Sequence, residues 1–196
     1  MDIRLAGVTK IFEPDIVALE DVYLSIDKGE FVYLVGTTGS GKTTLLRLIS
    51  REYLPSRGQI TVGDINLRKI SRSQLPFYRR EVGVVFQDYK LLPNLTVFEN
   101  VAFVLEAMGI PPRIVQNRSN EVIDQLGLWR RRFLKPPQLS GGEQQRVAIA
   151  RAMANSPSIF LADEPTGNLD LRTSEEIMRL LLSINAAGTT VIVATH

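Results

Sequence analysis

The chain has 196 residues, of which 44% are hydrophobic and 22% are charged, and its net charge is +2. These values predict one soluble globular domain with room for a subdomain. So small a net charge gives no support for nucleic-acid binding, and the runs Arg79-Arg80 and Arg130–Arg132 are interpreted as solvated helix ends or turns. Because cysteine is absent, disulfides, zinc–thiolate sites and thiol catalysis are excluded.

The apolar segments are too short to enter a membrane. Met1-Asp2-Ile3-Arg4 carries opposite charges and no apolar stretch of signal-peptide length follows, so no signal peptide is expected. The longest apolar runs reach about five or six residues, whereas a spanning helix needs about 20. We therefore expect no direct membrane insertion, and any role at a membrane should depend on a partner protein.

The first part of the chain is predicted to be rich in strands. Ile3–Val8 and Val17–Ile26 alternate apolar and polar residues, as strands with one solvated face do. Phe31–Val35 is apolar throughout and predicts a strand buried on both faces. Lys42–Ser50 has the periodicity of a helix. A hairpin about Gly63 and a further buried strand are predicted over Gln59–Val62, Asp64–Leu67 and Val82–Phe86.

Beyond residue 88 the pattern becomes helical. Val97–Met108 and Ile114–Leu126 are amphipathic, and prolines separate them from their neighbours. An alternation of helix and strand then returns, which predicts parallel strands packed against helices. Its elements are Gly142–Ala154, Ile159–Ala162, Ser174–Ala186 and Thr190–Ala194.

A phosphate-binding loop is predicted between the third strand and the first helix. Gly36-Thr37-Thr38-Gly39-Ser40-Gly41-Lys42-Thr43 fits G-x-x-x-x-G-K-[ST] and has the strand before and the helix after that make the pattern specific. Backbone N–H groups of such a loop surround phosphate oxygens at a helix N-terminus. Lys42 should reach the β- and γ-phosphates, and the Thr43 hydroxyl should ligate Mg²⁺.

Two carboxylates end the apolar segment Ile159–Ala162. Parallel sheets bind ligands at the carboxyl ends of their strands, so Asp163 and Glu164 should face the nucleotide. Asp163 is predicted to hold Mg²⁺, and Glu164 to act as general base on an attacking water. With these two motifs alone, a kinase, a GTPase and a motor all remain possible.

The stretch LSGGEQQR at residues 139–146 narrows the choice, because it resembles the signature motif of the ATP-binding cassette family. The resemblance implies that Ser140, Gly141, Gly142 and Glu143 lie at a helix N-terminus and bind the γ-phosphate of ATP held by a second copy of the chain. A homodimer with ATP between phosphate-binding loop and signature is therefore expected.

Other positions resemble the same family. Gln87 matches a glutamine that contacts Mg²⁺ and water, Asp170 a loop that crosses to the other subunit, and His196 a histidine at the γ-phosphate. Phe12, 24 residues before Gly36, matches an aromatic residue that stacks on adenine. The resemblance implies catalytic roles for Glu164, His196, Gln87 and Lys42, and metal binding by Thr43, Gln87 and Asp163. The implied nucleotide-binding positions are Phe12, Gly36, Thr37, Thr38, Gly39, Ser40, Gly41, Lys42, Thr43, Thr44, Gln87, Ser140, Gly141, Gly142, Glu143, Asp163 and Asp170.

The resemblance also implies the fold. We expect an α/β P-loop NTPase (RecA-like) core with an N-terminal antiparallel β subdomain and a helical signature-motif subdomain, in a single nucleotide-binding domain over residues 1–196. The core should comprise 1–88 and 156–196, and the helical subdomain about 89–155. Family members usually continue with an aspartate, a further strand and a helical segment, so C-terminal truncation at His196 is expected.

The sequences around Gln87 and Asp163 resemble one branch of the family more than its other branches. FQDYKLLP at 86–93 and ADEPTGNLD at 162–170 are similar to bacterial cell-division ATPases, with lipoprotein-releasing and macrolide-export ATPases as near relatives. This implies a polytopic membrane partner and a peripheral location on the cytoplasmic face of the bacterial membrane. The partner is expected to dock near residues 88–108, where the apolar residues Leu91, Leu92, Val97 and Phe98 cluster.

Three other functions are alternatives to a cell-division ATPase, and the sequence disfavours the last two. A transport ATPase for lipoproteins or drugs would differ in its membrane partner. A DNA-repair or translation ATPase with the same cassette usually has coiled-coil insertions or two cassettes in one chain, and neither is present. A P-loop kinase has no use for LSGGEQQR.

Overall fold

The computed structural model describes residues 1–196, which form eight strands and six α-helices. The strands are β1 (Ile3–Phe12), β2 (Ile16–Ile26), β3 (Phe31–Val35), β4 (Arg57–Val62), β5 (Ile65–Asn66), β6 (Val82–Val85), β7 (Ile159–Asp163) and β8 (Thr190–Thr195). The helices are α1 (Lys42–Ile49), α2 (Leu75–Arg80), α3 (Val97–Ala107), α4 (Pro112–Gln125), α5 (Gly141–Met153) and α6 (Leu171–Ala186). The short α2 was not predicted, because six residues that include a proline show no helical period.

An antiparallel sheet is built from the N-terminal strands in the order β2-β1-β4-β5. In β1 Ile3 and Leu5 are buried while Arg4 and Ala6 are exposed, and the register shifts before the next buried residue, Val8. This is the arrangement that the alternating sequence predicts, with one face on the core and the other in solvent.

A parallel sheet with the order β3-β8-β7-β6 forms the centre of the molecule. The expectation that β3 is buried on both faces is wrong, since Tyr33 is 52% and Val35 71% exposed. The strand lies at the edge of the sheet. On the Tyr33 side the helices pack over β7 and β8, so the outer end of β3 stays uncovered.

The parallel sheet separates two hydrophobic cores. In β7, Phe160 and Ala162 face a core shared with α3–α6, whereas Ile159 and Leu161 face a core shared with α1 and the antiparallel sheet. The predicted fold class is thereby confirmed. The limits of the helical subdomain at about 89 and 155 stay a prediction, because α3, α4 and α5 share their core with the sheet and α6.

The ends of the helices follow from local capping. Thr96 begins α3 with a reciprocal capping box to Glu99, and Pro112 begins α4. No helix combines the length and apolar character that crossing a bilayer requires.

Candidate functional site

The phosphate-binding loop connects the carboxyl end of β3 to the first turn of α1. Gly41 has a φ of +90°, and a Cβ there would collide with the Ala18 carbonyl oxygen and lie 2.7 Å from the Leu19 side chain. Only glycine therefore lets the loop pack against β2. The Lys42 ammonium donates hydrogen bonds to the carbonyl oxygens of Gly36 at 2.6 Å and Thr37 at 3.1 Å, so it lies over the loop.

Thr43 and Asp163 meet at the carboxyl end of the parallel sheet. The Thr43 hydroxyl donates a 3.0 Å hydrogen bond to Asp163 Oδ1. Burial raises the pKa of Asp163, and the hydrogen bond from Thr43 opposes this rise. Both side chains border a cavity of about 340 Å³ together with Gln87 and Asn168. The structure therefore brings the three predicted metal-binding residues to one place.

The donor set of this cavity fits a magnesium ion that is shared with a nucleotide. Asp163 offers a carboxylate oxygen, Thr43 a hydroxyl oxygen and Gln87 an amide oxygen. Mg²⁺ in phosphate-transfer sites is bound by one or two carboxylates plus phosphate oxygens and water. No group of three or more His, Cys, Asp or Glu residues lies together as an all-protein metal site would require.

Glu164 follows Asp163 in a strained backbone conformation. Its φ is +48°, which is the left-handed region, and its N–H donates to the Ala194 carbonyl oxygen of β8 at 3.0 Å. Oε1 of Glu164 lies 2.5 Å from Nε2 of His196, so the predicted base and the predicted γ-phosphate histidine are in contact.

The signature residues begin α5. Ser140 Oγ accepts a 3.3 Å hydrogen bond from the Glu143 N–H, and Glu143 Oε2 accepts one of 2.9 Å from the Ser140 N–H. Arg131 donates to Glu143 Oε1 at 2.7 Å, and this ion pair lowers the pKa of Glu143. Residues 140–143 do not border the cavity at Thr43 and Asp163. The structure thus gives one chain two separate helix starts suited to phosphate.

The start of α5 packs directly on the start of α6. A Cβ on Gly142 would lie 2.5 Å from Cγ2 of Thr173, and one on Gly141 would meet atoms only at 3.4 Å and beyond. Asp170 caps α6 by accepting from the Thr173 N–H at 3.0 Å and from its hydroxyl at 2.6 Å, which lowers the pKa of Asp170. Asp170 therefore has a structural role in its own chain.

Phe12 lies at the end of β1 and is partly buried. Its ring makes an edge contact with Tyr53 at a centroid distance of 5.3 Å, and the Lys10 ammonium is 4.8 Å from its centroid. These contacts anchor the aromatic ring, and its role toward adenine stays a prediction.

Five residues that border the cavity with Thr43 and Asp163 were not predicted as site residues from sequence, namely Arg47, Phe86, Asp88, Lys90 and Asn168. Arg47 follows Thr43 by four positions on α1, so helical spacing could have indicated it. The Asn168 side chain, which donates to the Gln87 carbonyl oxygen at 3.5 Å, could not be placed without the fold.

Comparison with known proteins identifies the family. The ABC transporter family pattern matches residues 19–167, which include the site residues described above except Phe12, Asn168, Asp170 and His196. The chain belongs to the ABC transporter family. Members of this family that are similar over nearly the whole chain include the cell division ATP-binding protein FtsE of Bacillus subtilis, at 50% identity over 99% of this chain and 85% of that protein.

FtsE of Mycobacterium tuberculosis is 47% identical over 100% of this chain and 86% of its own length, and FtsE of Escherichia coli is 43% identical over 99% and 87%. Among solved structures, the dimeric bacterial ABC transporter cassette MJ0796 has a TM-score of 0.90 and 43% identity, covering 99% of this chain and 88% of that one. A post-hydrolysis dimer of MJ0796 bound to ADP and Pi has a TM-score of 0.89 at 42% identity. The resemblance to the family and to its cell-division branch is confirmed, whereas the roles of single residues stay predictions.

Proposed function

We propose that this chain is the ATP-binding and ATP-hydrolysing subunit of an ABC-type complex in bacterial cell division. In this proposal, ATP-driven homodimerisation transmits a conformational change to a polytopic membrane partner that resembles FtsX. The observation that carries it is the hydrogen bond between Thr43 and Asp163 beside Gln87, at the end of the phosphate-binding loop. The FtsE relatives support the biological setting.

Binding of ATP is assigned to the loop and to α1. Lys42 exchanges its two carbonyl partners for phosphate oxygens, while backbone N–H groups of residues 36–43 surround the phosphates. Mg²⁺, when bound, neutralises developing negative charge on the phosphates. Thr43, Asp163 and Gln87 would hold the ion. Phe12 is assigned to the adenine ring.

Hydrolysis is assigned to Glu164. Its carboxylate accepts a proton from the attacking water, so the oxygen becomes a better nucleophile toward phosphorus. His196 contacts Glu164 in the free chain and could exchange this contact for the γ-phosphate. Gln87, which borders the cavity beside Thr43 and Asp163, is assigned to orient the water.

The separation of the two helix starts supports dimerisation. Ser140 and the glycines that follow do not border the cavity at Asp163, and we assign to them the phosphate of a nucleotide held by a second copy. The two solved MJ0796 dimers, one of them bound to ADP and Pi, are similar in fold to this chain and support a dimer.

The membrane partner is proposed to dock in a groove between the parallel sheet and α3. This groove, of about 520 Å³, includes Phe86, Lys90, Val104 and Met108, all within or next to the predicted range 88–108. The apolar residues that the sequence predicted for docking do not line this groove. Val97 is fully buried, Leu91 and Phe98 pack on the core beneath, and Leu92 does not line the groove.

Copurification with candidate partners tests this proposal. Tagged protein should retain an FtsX-like membrane protein and not the membrane subunit of a lipoprotein-releasing or macrolide-export transporter. Val104→Glu, which places a charge in the groove, should abolish retention. Phe103→Glu on the same helix is the matched control, because Phe103 is exposed and lies outside the groove.

Retention of only a transporter subunit would establish the alternative function, a transport ATPase. Equal loss of the partner in both variants would contradict docking in the groove. Phosphate release should require added Mg²⁺ and stop when a chelator removes it. A peripheral position at the cytoplasmic face of the membrane follows from such a partner.

A further inference from the structure

The small net charge of the chain conceals an uneven distribution. Residues 51–80 contain seven of the 23 Lys and Arg residues but only two of the 21 Asp and Glu residues. This segment therefore carries a charge of +5, and the rest of the chain carries −3. A basic segment on an otherwise acidic protein indicates a specific anionic partner rather than general solubility.

The fold brings Arg51, Arg79 and the pair Arg68-Lys69 close together, whereas Arg57 lies on β4. Arg79 donates to the Arg51 carbonyl oxygen at 3.2 Å, and the Arg51 guanidinium donates to the Leu67 carbonyl oxygen at 2.7 Å, next to Arg68 and Lys69. Burial and the nearby Arg79 charge lower the pKa of Arg51, as two cations without an anion between them should.

None of the seven cations has a carboxylate partner. Every ion pair of an arginine in this protein lies outside the group, and seven other arginines make one. Three carboxylates border the surface, namely Glu52, Asp64 and Glu81. Glu52 approaches Arg47, Glu81 accepts a hydrogen bond from the Ser158 hydroxyl, and none of the three carboxylates forms an ion pair with the group.

An exposed aromatic ring lies among the cations. Phe77 on α2 is 64% exposed, and the Arg80 guanidinium is 5.0 Å from its ring centroid. Phe77 and Lys69 border the same open depression. A lipid bilayer has anionic headgroups at its surface and apolar acyl chains beneath them. Arginines suit the headgroups, and an exposed aromatic ring suits the boundary between headgroups and acyl chains.

We propose that the basic surface formed by Arg51, Arg68, Lys69, Arg72, Arg79, Arg80 and Phe77 binds the anionic headgroups of a lipid bilayer. Arg79 and Arg80 also line the groove assigned to the membrane partner. The inference rests on the proposed function in one respect, because a groove that holds a membrane protein turns the adjoining surface toward the bilayer. Nucleic acid is the other anionic partner that this charge would fit, and tighter binding to a DNA duplex than to anionic vesicles would overturn the assignment.

Sedimentation with vesicles tests the proposal on the full chain without nucleotide or partner. The protein should sediment with vesicles of phosphatidylcholine mixed with phosphatidylglycerol and not with phosphatidylcholine alone. Added salt should release it, because screening weakens exposed charges. Each basic residue near an anionic leaflet contributes roughly fivefold in affinity. The triple variant Arg68→Gln, Lys69→Gln, Arg72→Gln should therefore bind roughly 100-fold more weakly.

A second triple variant controls for net charge. Lys28, Arg113 and Arg130 are exposed cations elsewhere and have no ion pair. Changing all three to Gln should leave vesicle binding within about twofold. Equal loss in both triples, absence of binding to anionic vesicles, or tighter binding to polyglutamate than to vesicles would each overturn the proposal.

Phosphate release measured on the same samples separates this inference from the proposed function. Neither triple includes a residue of the nucleotide site or of the groove, so hydrolysis should be unchanged in both. Hydrolysis without vesicle binding overturns only the lipid inference. Vesicle binding without hydrolysis in the wild-type chain overturns only the proposed ATPase function.

Discussion

The Thr43 hydroxyl donates a 3.0 Å hydrogen bond to Asp163 Oδ1 across 120 residues of chain. This bond joins the first turn of α1 to the end of β7, so the phosphate-binding loop and the acidic strand end form one site. A hydroxyl and a carboxylate held together in this way are prepared to share a metal ion.

The charge of Asp163 should destabilise the free protein. Burial raises the pKa of Asp163, so the folded state binds this proton more tightly than the unfolded chain does. The stabilisation is full at pH below the ordinary carboxyl range and is lost as pH rises through the raised pKa. Asp163→Asn should therefore raise the Tm of the nucleotide-free protein at neutral pH. The gain should be small, because water screens a partly buried group.

Thermal unfolding across pH checks this sign. The difference in Tm between Asp163→Asn and wild type should disappear in acid, where both proteins are neutral at this position. The same variant should lose Mg²⁺-dependent nucleotide binding. A lower Tm for the variant at neutral pH would show that the charge of Asp163 does not destabilise the folded protein.

Lys42→Ala should abolish tight ATP binding, because the ammonium is the main counter-charge to the β- and γ-phosphates. Hydrogen bonds to charged groups contribute about 1.5–3 kcal/mol, which corresponds to a loss of about 10- to 100-fold in affinity. Titration with a fluorescent nucleotide measures it, and Lys28→Ala on an exposed turn is the control. Undiminished affinity would disprove the assignment of the phosphate-binding loop.

Glu164→Gln should keep ATP bound and slow hydrolysis by about 10²–10⁴-fold, since the amide preserves shape but cannot accept the proton. The trapped ATP should yield a stable dimer in size-exclusion chromatography. Glu175→Gln, on the exposed surface of α6, should behave as wild type. Normal turnover by Glu164→Gln would assign the general base elsewhere.

Ser140→Arg should leave ATP binding to the monomer intact and block both dimerisation and hydrolysis, because it buries an unpaired cation at the dimer interface. Mixing it with Lys42→Ala is the sharper experiment. One composite site then has an intact loop facing an intact signature, and activity should return although each variant alone is inactive. ATP hydrolysis by monomeric Ser140→Arg would show that the motif does not act across subunits.

Gly142→Ala should destabilise the contact between α5 and α6, because its Cβ would lie 2.5 Å from Cγ2 of Thr173. Overpacking of this kind costs about 1–3 kcal/mol. Adding Thr173→Ser removes that methyl group, keeps the hydroxyl that bonds Asp170, and should restore stability. Gly141→Ala meets only ordinary contacts and should leave the free energy of unfolding in denaturant nearly unchanged.

The sequence by itself determined the local elements and the motifs. Alternation in β1, the glycine-rich loop before α1 and the two carboxylates at the end of β7 depend on residues close together in the chain, and such patterns can be read from the order of residues. The place of Ser140 at a helix start was implied by the family resemblance of LSGGEQQR, and the structure shows it as the capping residue of α5.

Only the tertiary structure decided which distant residues meet. The bond from Thr43 to Asp163, the packing of Gly142 on Thr173 and the exposure of β3 all depend on the order of strands in the sheet. Of the basic surface, only Arg79-Arg80 was interpreted from sequence, as a solvated helix end or turn. It became one feature because the fold brings Arg51, Leu67 and Arg79 into contact. The order of residues in the chain decides which residues are neighbours within one helix or strand. Strand order and packing decide which residues are neighbours across different elements. Charges from distant parts of the chain add up on one surface because charge acts through space.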